Sequence, residues 1–286
     1  MTLDTQTMGI SRHWFSAVIK NIPGSPDLFS KKEVCKARKL FLAGTNQLTS
    51  IRNWLIAGGI IEKTGGAYKL SDLGNLIAGQ DNQAESAWTW WLFHLHLCAN
   101  SDAFPYSTFF VTNESDSPWK TQNEMKDLLI KQAPALGVAL AAESISSTFN
   151  GVAQTFYPGF FVNDLGLIEV RGKDEAPSKK FRRKLCKPAD IVICYATVLF
   201  KKQFFSDDTT VDARALLGRG LAKALGMIDS DVRESLSRIH TDKIIGHFLQ
   251  YRNQVNLDSL QFPKPLDLSL REIRANAYGS QAVKWQ

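Results

Sequence analysis

The sequence has little of what most often carries chemistry unaided. Four cysteines, Cys35, Cys98, Cys186 and Cys194, are scattered singly through 286 residues, with no C-x-x-C pair to clip a zinc ion or form a redox couple. They read as reduced structural thiols of the kind a fold buries. No run of eighteen or more apolar residues occurs, which argues against a membrane-spanning helix. Met1–Ile10 lacks the charged start and apolar core of a secretory leader, so the cytoplasm of a bacterial-type cell is the expected address. Neither G-x-x-x-x-G-K-[ST] nor G-x-G-x-x-G is present, and autonomous nucleotide hydrolysis is not expected.

Metal chemistry is also poorly provided for. A metal nuclease needs two or three carboxylates, commonly with a lysine, converging on Mg2+. The nearest linear set, Asp164, Glu169, Arg171 and Lys173, misses the usual acid-x-Lys spacing. Asp207 with Asp208, and Asp229 with Asp231, precede or begin helical runs, where acids suit the helix dipole. His94 and His96 lie two apart on a helical pattern, diverge by about 200° and cannot share one ion; they read as core or interface histidines. No cofactor is firmly implied.

What the chain does have is segregated charge. Its 34 basic and 28 acidic residues give a net charge of +6. Basic residues outnumber acidic ones two to one over residues 1–80, acids dominate residues 81–170, and residues 171–286 are basic again. A polyanion would be drawn to both ends and repelled by the middle.

The strongest ordered pattern runs from Lys31 to Ile77. Ser30 with Glu33 three residues on resembles a capping box, and Val34, Ala37, Leu40 and Phe41 follow at helical spacing. Gly44 opens a turn into a second helix with the apolar stripe Leu48, Ile51, Trp54 and Leu55. Its other face carries Thr45, Asn46, Gln47, Ser50, Arg52 and Asn53, short or forked hydrogen-bonding side chains instead of the Glu and Lys of a merely solvated surface. Ile60–Lys63 and Ala67–Leu70 then flank Thr64-Gly65-Gly66 as a hairpin, and Ser71 caps a further helix. Helix, turn, helix, two-stranded wing and helix, in that order, predict a winged helix-turn-helix that binds double-stranded DNA. Asn46, Gln47 and Arg52 are the expected base readers. Thr45, Ser50 and Asn53 are expected on phosphate, with Lys36, Lys39 and Lys63 flanking them.

Residues 84–98, with three tryptophans and little charge, read as a buried helix. From Thr121 a weaker echo of the first unit runs through a helix with Met125, Leu128 and Leu129, a break at Pro134, a helix through Ile145, Phe149 and Val152, and the strand-like Leu165–Val170. A second, degenerate winged helix, or a packing module, fits this pattern. Gly172–Ser178 has linker composition, and Lys179–Lys187 is the densest basic run. Lys179, Lys180, Arg182, Arg183 and Lys184 form an expected phosphate-contacting strip. The fold class is therefore mainly α with small β wings: an arm over 1–26, the winged unit over 27–80, a helical part over 81–172, and a basic linker with a C-terminal helical part over 173–286.

Thr49-Ser-Ile-Arg-Asn-Trp-Leu55, Gly59-Ile-Ile-Glu62, Tyr68-Lys-Leu-Ser-Asp-Leu-Gly74 and Ser86–Leu97 together resemble a bacterial defence-associated family known as a domain of unknown function. That family includes the SspB-type component of single-strand DNA phosphorothioation systems. The likeness extends weakly through Ser146–Tyr157, Leu165–Leu167 and Pro188–Phe200. The family's usual N-terminal phrase, a Gly-His-Glu-Thr-Phe-like stretch, is replaced by Arg12-His-Trp-Phe15. The resemblance implies a DNA-nicking subunit, needing Mg2+ or Mn2+ if it cuts. Its implied partners are a cysteine desulfurase, an ATP-using sulfur-transfer enzyme and an ATPase. Residue chemistry alone equally allows a non-catalytic winged-helix regulator or recruitment factor, or an interaction scaffold.

Overall fold

The computed structural model describes residues 3–114, 116–172, 179–254 and 257–280, with Val283 and Trp285. Among the described residues the chain is mainly helical with three small antiparallel sheets. No helix among them is long and apolar enough to cross a membrane.

Helix α1 (Arg12–Asn21) starts where the Ser11 hydroxyl accepts the Trp14 N–H, and it buries Phe15, Val18 and Ile19. These three fall on one face at helical spacing, so the stretch expected to be an arm holds a packed helix. Helix α2 (Val34–Phe41) begins three residues later than expected. Ser30 does accept the Glu33 N–H at 3.3 Å, but residues 30–33 form successive turns. Leu42, Ala43 and Gly44 then turn the chain into α3 (Thr45–Ala57), which buries the expected Leu48, Ile51, Trp54 and Leu55. Strands β1 (Ile61–Thr64) and β2 (Ala67–Leu70) pair antiparallel from Ile61↔Leu70 to Thr64↔Ala67. Gly65 and Gly66 make that tight turn at φ +58° and +95°, values that favour glycine. Helix α4 (Asp72–Gln80) follows, capped by the Ser71 hydroxyl on the Gly74 N–H.

Every residue of α5 (Ala87–Ala99) except His96 is buried. Its histidines are core groups as expected. His94 bonds the Tyr106 hydroxyl at 2.6 Å and the Ala224 carbonyl at 2.8 Å, and His96 bonds the Tyr195 hydroxyl at 2.8 Å. Burial lowers both to a pKa of about 3, so each is neutral at physiological pH.

After α6 (Tyr106–Thr112) the chain runs through β3 (Lys120–Thr121), α7 (Gln122–Gln132), α8 (Ala142–Gln154), α9 (Phe161–Asp164), β4 (Ile168–Arg171) and β5 (Lys180–Arg183). The strands lie in the order β3-β5-β4. The expected linker lies outside the described residues from Lys173 to Ser178.

After α10 (Asp190–Phe204), the same plan returns: β6 (Thr210–Asp212), α11 (Ala213–Gly218), α12 (Leu221–Ala224), α13 (Asp229–Thr241), and the hairpin β7 (Gln250–Gln254) and β8 (Leu257–Gln261). Its order, β6-β8-β7, again sets the leading strand beside the returning one. The sequence predicts only a C-terminal helical part here, because the leading strand of this third copy is three residues long and carries no local signal. Helix α14 (Leu266–Ser280) closes the chain, and α10 packs against α5, α13 and α14.

A strap over residues 3–9 ties the first two units together. The Met8 carbonyl accepts from Ser50 Oγ at 3.0 Å and Trp54 Nε1 at 2.8 Å, while Thr5 Oγ1 donates to the Thr148 carbonyl at 2.7 Å. Gly151 on α8 permits the close approach, because a Cβ there would lie 2.3 Å from Thr5 Oγ1.

Candidate nucleic-acid interface

The first half of α3 stands out from the first unit. Thr45 and Asn46 are exposed, and Gln47, Thr49 and Arg52 are partly so. The Gly44 N–H is capped by Gln47 Oε1 at 2.6 Å, so the carbonyl oxygen of this expected base reader already has a structural partner. Arg52 is steadied through Nε and Nη2 by Asn53 Oδ1, both at 3.2 Å. Lys31, Thr45, Thr49 and Arg52 line one groove of about 240 Å3 beside the helix, and Arg38, Lys39 and Leu42 line another of about 460 Å3 at its start.

Two candidates on α3 are corrected. Ser50 is buried and its hydroxyl donates to the strap, so it cannot reach a phosphate. Asn53 is half-buried, and its Nδ2 donates to the Asp4 carbonyl at 2.9 Å. The strap covers the flank of α3 that these residues occupy, a contact that helical periodicity cannot reveal. Lys36, Lys39 and Lys63 are all exposed, Lys36 lying 3.6 Å from Glu33. The structure adds Lys31, Lys32 and Arg38, exposed on and before α2, and Leu42, 83% exposed in the helix-to-helix turn. The signals for them were the basic run itself and a leucine that falls after the helical stripe.

The second basic segment is less uniform than its composition. Strand β5 sends successive side chains to opposite faces. Phe181 and Arg183 point inward, and Lys180 is exposed. Arg183 is therefore corrected from a phosphate contact to a core residue, 1% exposed. Its Nη1 donates to the Phe110 and Asn113 carbonyls at 3.1 and 3.4 Å, its Nη2 donates to the Lys223 carbonyl, and its guanidinium lies over the Phe110 ring. Burial lowers its pKa to about 10, which leaves it charged at neutral pH. Arg182 is likewise committed: it pairs with Glu169 at 2.6 Å and Asp116 at 3.3 Å and covers the Trp119 ring. Lys179 Nζ lies 4.4 Å from the centroid of Tyr157. Lys180 and Lys184 remain exposed.

The carboxylates of the linear set, Asp164 and Glu169, do not converge on one another. Asp164 accepts the Gly159 N–H at 3.1 Å and faces Arg12, Glu169 is held by Arg182, and Lys173 lies outside the described residues. Among the described residues, no group of three or more His, Cys, Asp or Glu is placed to hold a metal ion. These residues do not fit a resident Mg2+. Cys98, Cys186 and Cys194 are buried as expected, while Cys35 is exposed on α2.

A mainly helical chain in which a helix-and-hairpin plan recurs three times, with a cluster of exposed basic groups on and beside α2 in the first unit, is the class this geometry defines. The chain belongs to the family described as protein of unknown function DUF4007, whose model matches residues 5–278. Its fold is that of two solved structures. One, of magnesium ion-bound SspB, is 15% identical, with 97% of this chain and 88% of that chain covered and a TM-score of 0.76. The other, of SspB, is also 15% identical, with 98% and 94% covered and a TM-score of 0.74. Among proteins of curated function, none matches the sequence significantly.

Proposed function

We propose that this chain is the DNA-binding subunit of a phosphorothioation system, and that its first unit is a winged helix that engages duplex DNA through α3. The observation that carries the reading is the exposed start of α3, with Thr45 and Asn46, set between two grooves that carry Lys31, Arg38, Lys39 and Arg52. A helix presented this way enters the major groove by its N-terminal half. The second and third units share the plan, but the first turn of α8 carries Glu143 and that of α13 carries Asp229 and Asp231, which a phosphate backbone repels, whereas the first turn of α3 carries no acid. Likeness to SspB supports the system. The partners would then be a cysteine desulfurase, an ATP-using sulfur-transfer enzyme and an ATPase.

Within that role, α3 reads bases with Asn46 and Arg52. On a target obtained by selection from random duplexes, Asn46→Ala or Arg52→Ala is expected to lose roughly 1–3 kcal/mol of preference while affinity for random duplex changes much less. Equal loss on both would make them backbone contacts.

Nicking is the finer proposal. Incubating the pure protein with supercoiled plasmid and Mg2+ or Mn2+ should yield open circles. Plasmid that stays supercoiled while being bound would make the chain a recruitment factor. The commitment of Asp164 and Glu169 to arginines favours that second reading over the linear carboxylate set.

A further inference from the structure

We propose that the second unit carries a nucleotide pocket, which takes one base turned out of a DNA strand. The inference rests on the DNA-binding reading above and deepens it. A cavity of about 420 Å3 opens between the first turns of α7, the last half of α8 and the start of β5. Its size falls within the range of about 300–1,000 Å3 typical of small-ligand sites.

Its lining combines the three things a nucleotide needs. The floor is aromatic: Phe181 is buried, and Tyr157 packs edge-on against it with centroids 5.6 Å apart. The wall is a pair of side-chain amides. Gln122 Nε2 donates to Asn150 Oδ1 at 2.7 Å, which leaves Gln122 Oε1 as an acceptor and Asn150 Nδ2 as a donor. Among the described residues no other group bonds them. Every nucleobase carries a donor next to an acceptor on its Watson–Crick edge, and turned-out bases are read by such bonds together with stacking. Lys126 and Lys179 supply positive charge for the phosphate. Lys179 already sits on the Tyr157 ring, and a base stacking there would shift the ammonium toward its own phosphate. Among the described residues no carboxylate lines the cavity. The neighbouring Glu124 is turned away, its Oε2 accepting the Thr121 N–H at 2.6 Å and the Thr121 hydroxyl at 2.9 Å.

The test is calorimetric titration of the full chain with each deoxynucleoside monophosphate, with the matching deoxynucleoside, and with inorganic phosphate. The proposal expects nucleotides to bind at least ten-fold more tightly than phosphate. Tyr157→Ala should weaken them roughly 5- to 150-fold, the scale of a lost base–aromatic stack, and Tyr157→Phe should keep them. Gln122→Ala and Asn150→Ala should weaken nucleotides and leave phosphate unaffected. Since Tyr157 touches the core, Gln122→Ala on the half-exposed start of α7 decides the matter should Tyr157→Ala fail to melt like wild type. Phosphate binding as tightly as nucleotides, or Gln122→Ala and a folded Tyr157→Ala binding unchanged, would overturn the pocket. Duplex titrations of the same proteins separate the two claims. Nucleotide binding without duplex binding would sink the function proposed above and uphold the pocket; duplex binding without nucleotide binding would do the reverse.

Discussion

Exchange of Arg183 for methionine is expected to destabilise the protein by about 3–5 kcal/mol, the cost of leaving three buried carbonyls without a donor less the gain from no longer burying the charge. The guanidinium donates to three carbonyls in two places, Phe110 and Asn113 around the end of α6 and Lys223 in α12. It thus joins the second unit to the third. Methionine fills most of the volume, so the loss reports the orphaned carbonyls, each costing about 1–3 kcal/mol if left dry. One guanidinium nitrogen, Nε, has no partner among the described residues, so the native arrangement is itself incompletely compensated. Urea unfolding read by tryptophan fluorescence measures the effect. A change below about 1 kcal/mol would mean that water reaches these carbonyls and that Arg183 is not the joint described here.

Trp54→Ala should cost a similar amount, about 3–5 kcal/mol, the range for emptying a buried aromatic site. Trp54 is fully buried, stacks edge-on with Tyr106 at 5.7 Å and donates to the Met8 carbonyl at 2.8 Å. Its loss opens a cavity between α3 and α5 and releases the strap. Trp54→Phe retains much of the packing and loses only the strap bond, so it should cost clearly less. If both variants melted alike, the strap bond rather than the packing would dominate.

Legibility followed the range of the interactions. The first unit could be read in outline because its signals are local: the Leu48/Ile51/Trp54/Leu55 stripe, the Gly65-Gly66 turn and the Ser71 cap each act within a few residues. The site residues were less legible because their fates depend on distant chain. Ser50 and Asn53 sit on a polar helix face like any other until residues 3–9 fold over it. Arg183 lies in what composition presents as a uniform basic strip. The alternation Lys180, Phe181, Arg182, Arg183 could have placed it inward with Phe181, had the run been read as a strand. The third unit escaped because short β6 pairs with β8 across nearly fifty residues, a contact with no local trace.

The central claim, that the first unit binds duplex DNA through its basic surface, is tested most directly by fluorescence anisotropy. A short labelled duplex is titrated at salt concentrations from about 50 to 200 mM, with wild type and with a variant carrying Lys36→Gln, Lys39→Gln and Lys63→Gln. The log of the wild-type binding constant should fall linearly with the log of salt concentration, and the variant's slope should be shallower by roughly 0.9 for each phosphate contact removed. Wild-type protein that binds no duplex at the lowest salt, or a folded variant with an unchanged slope, would contradict it.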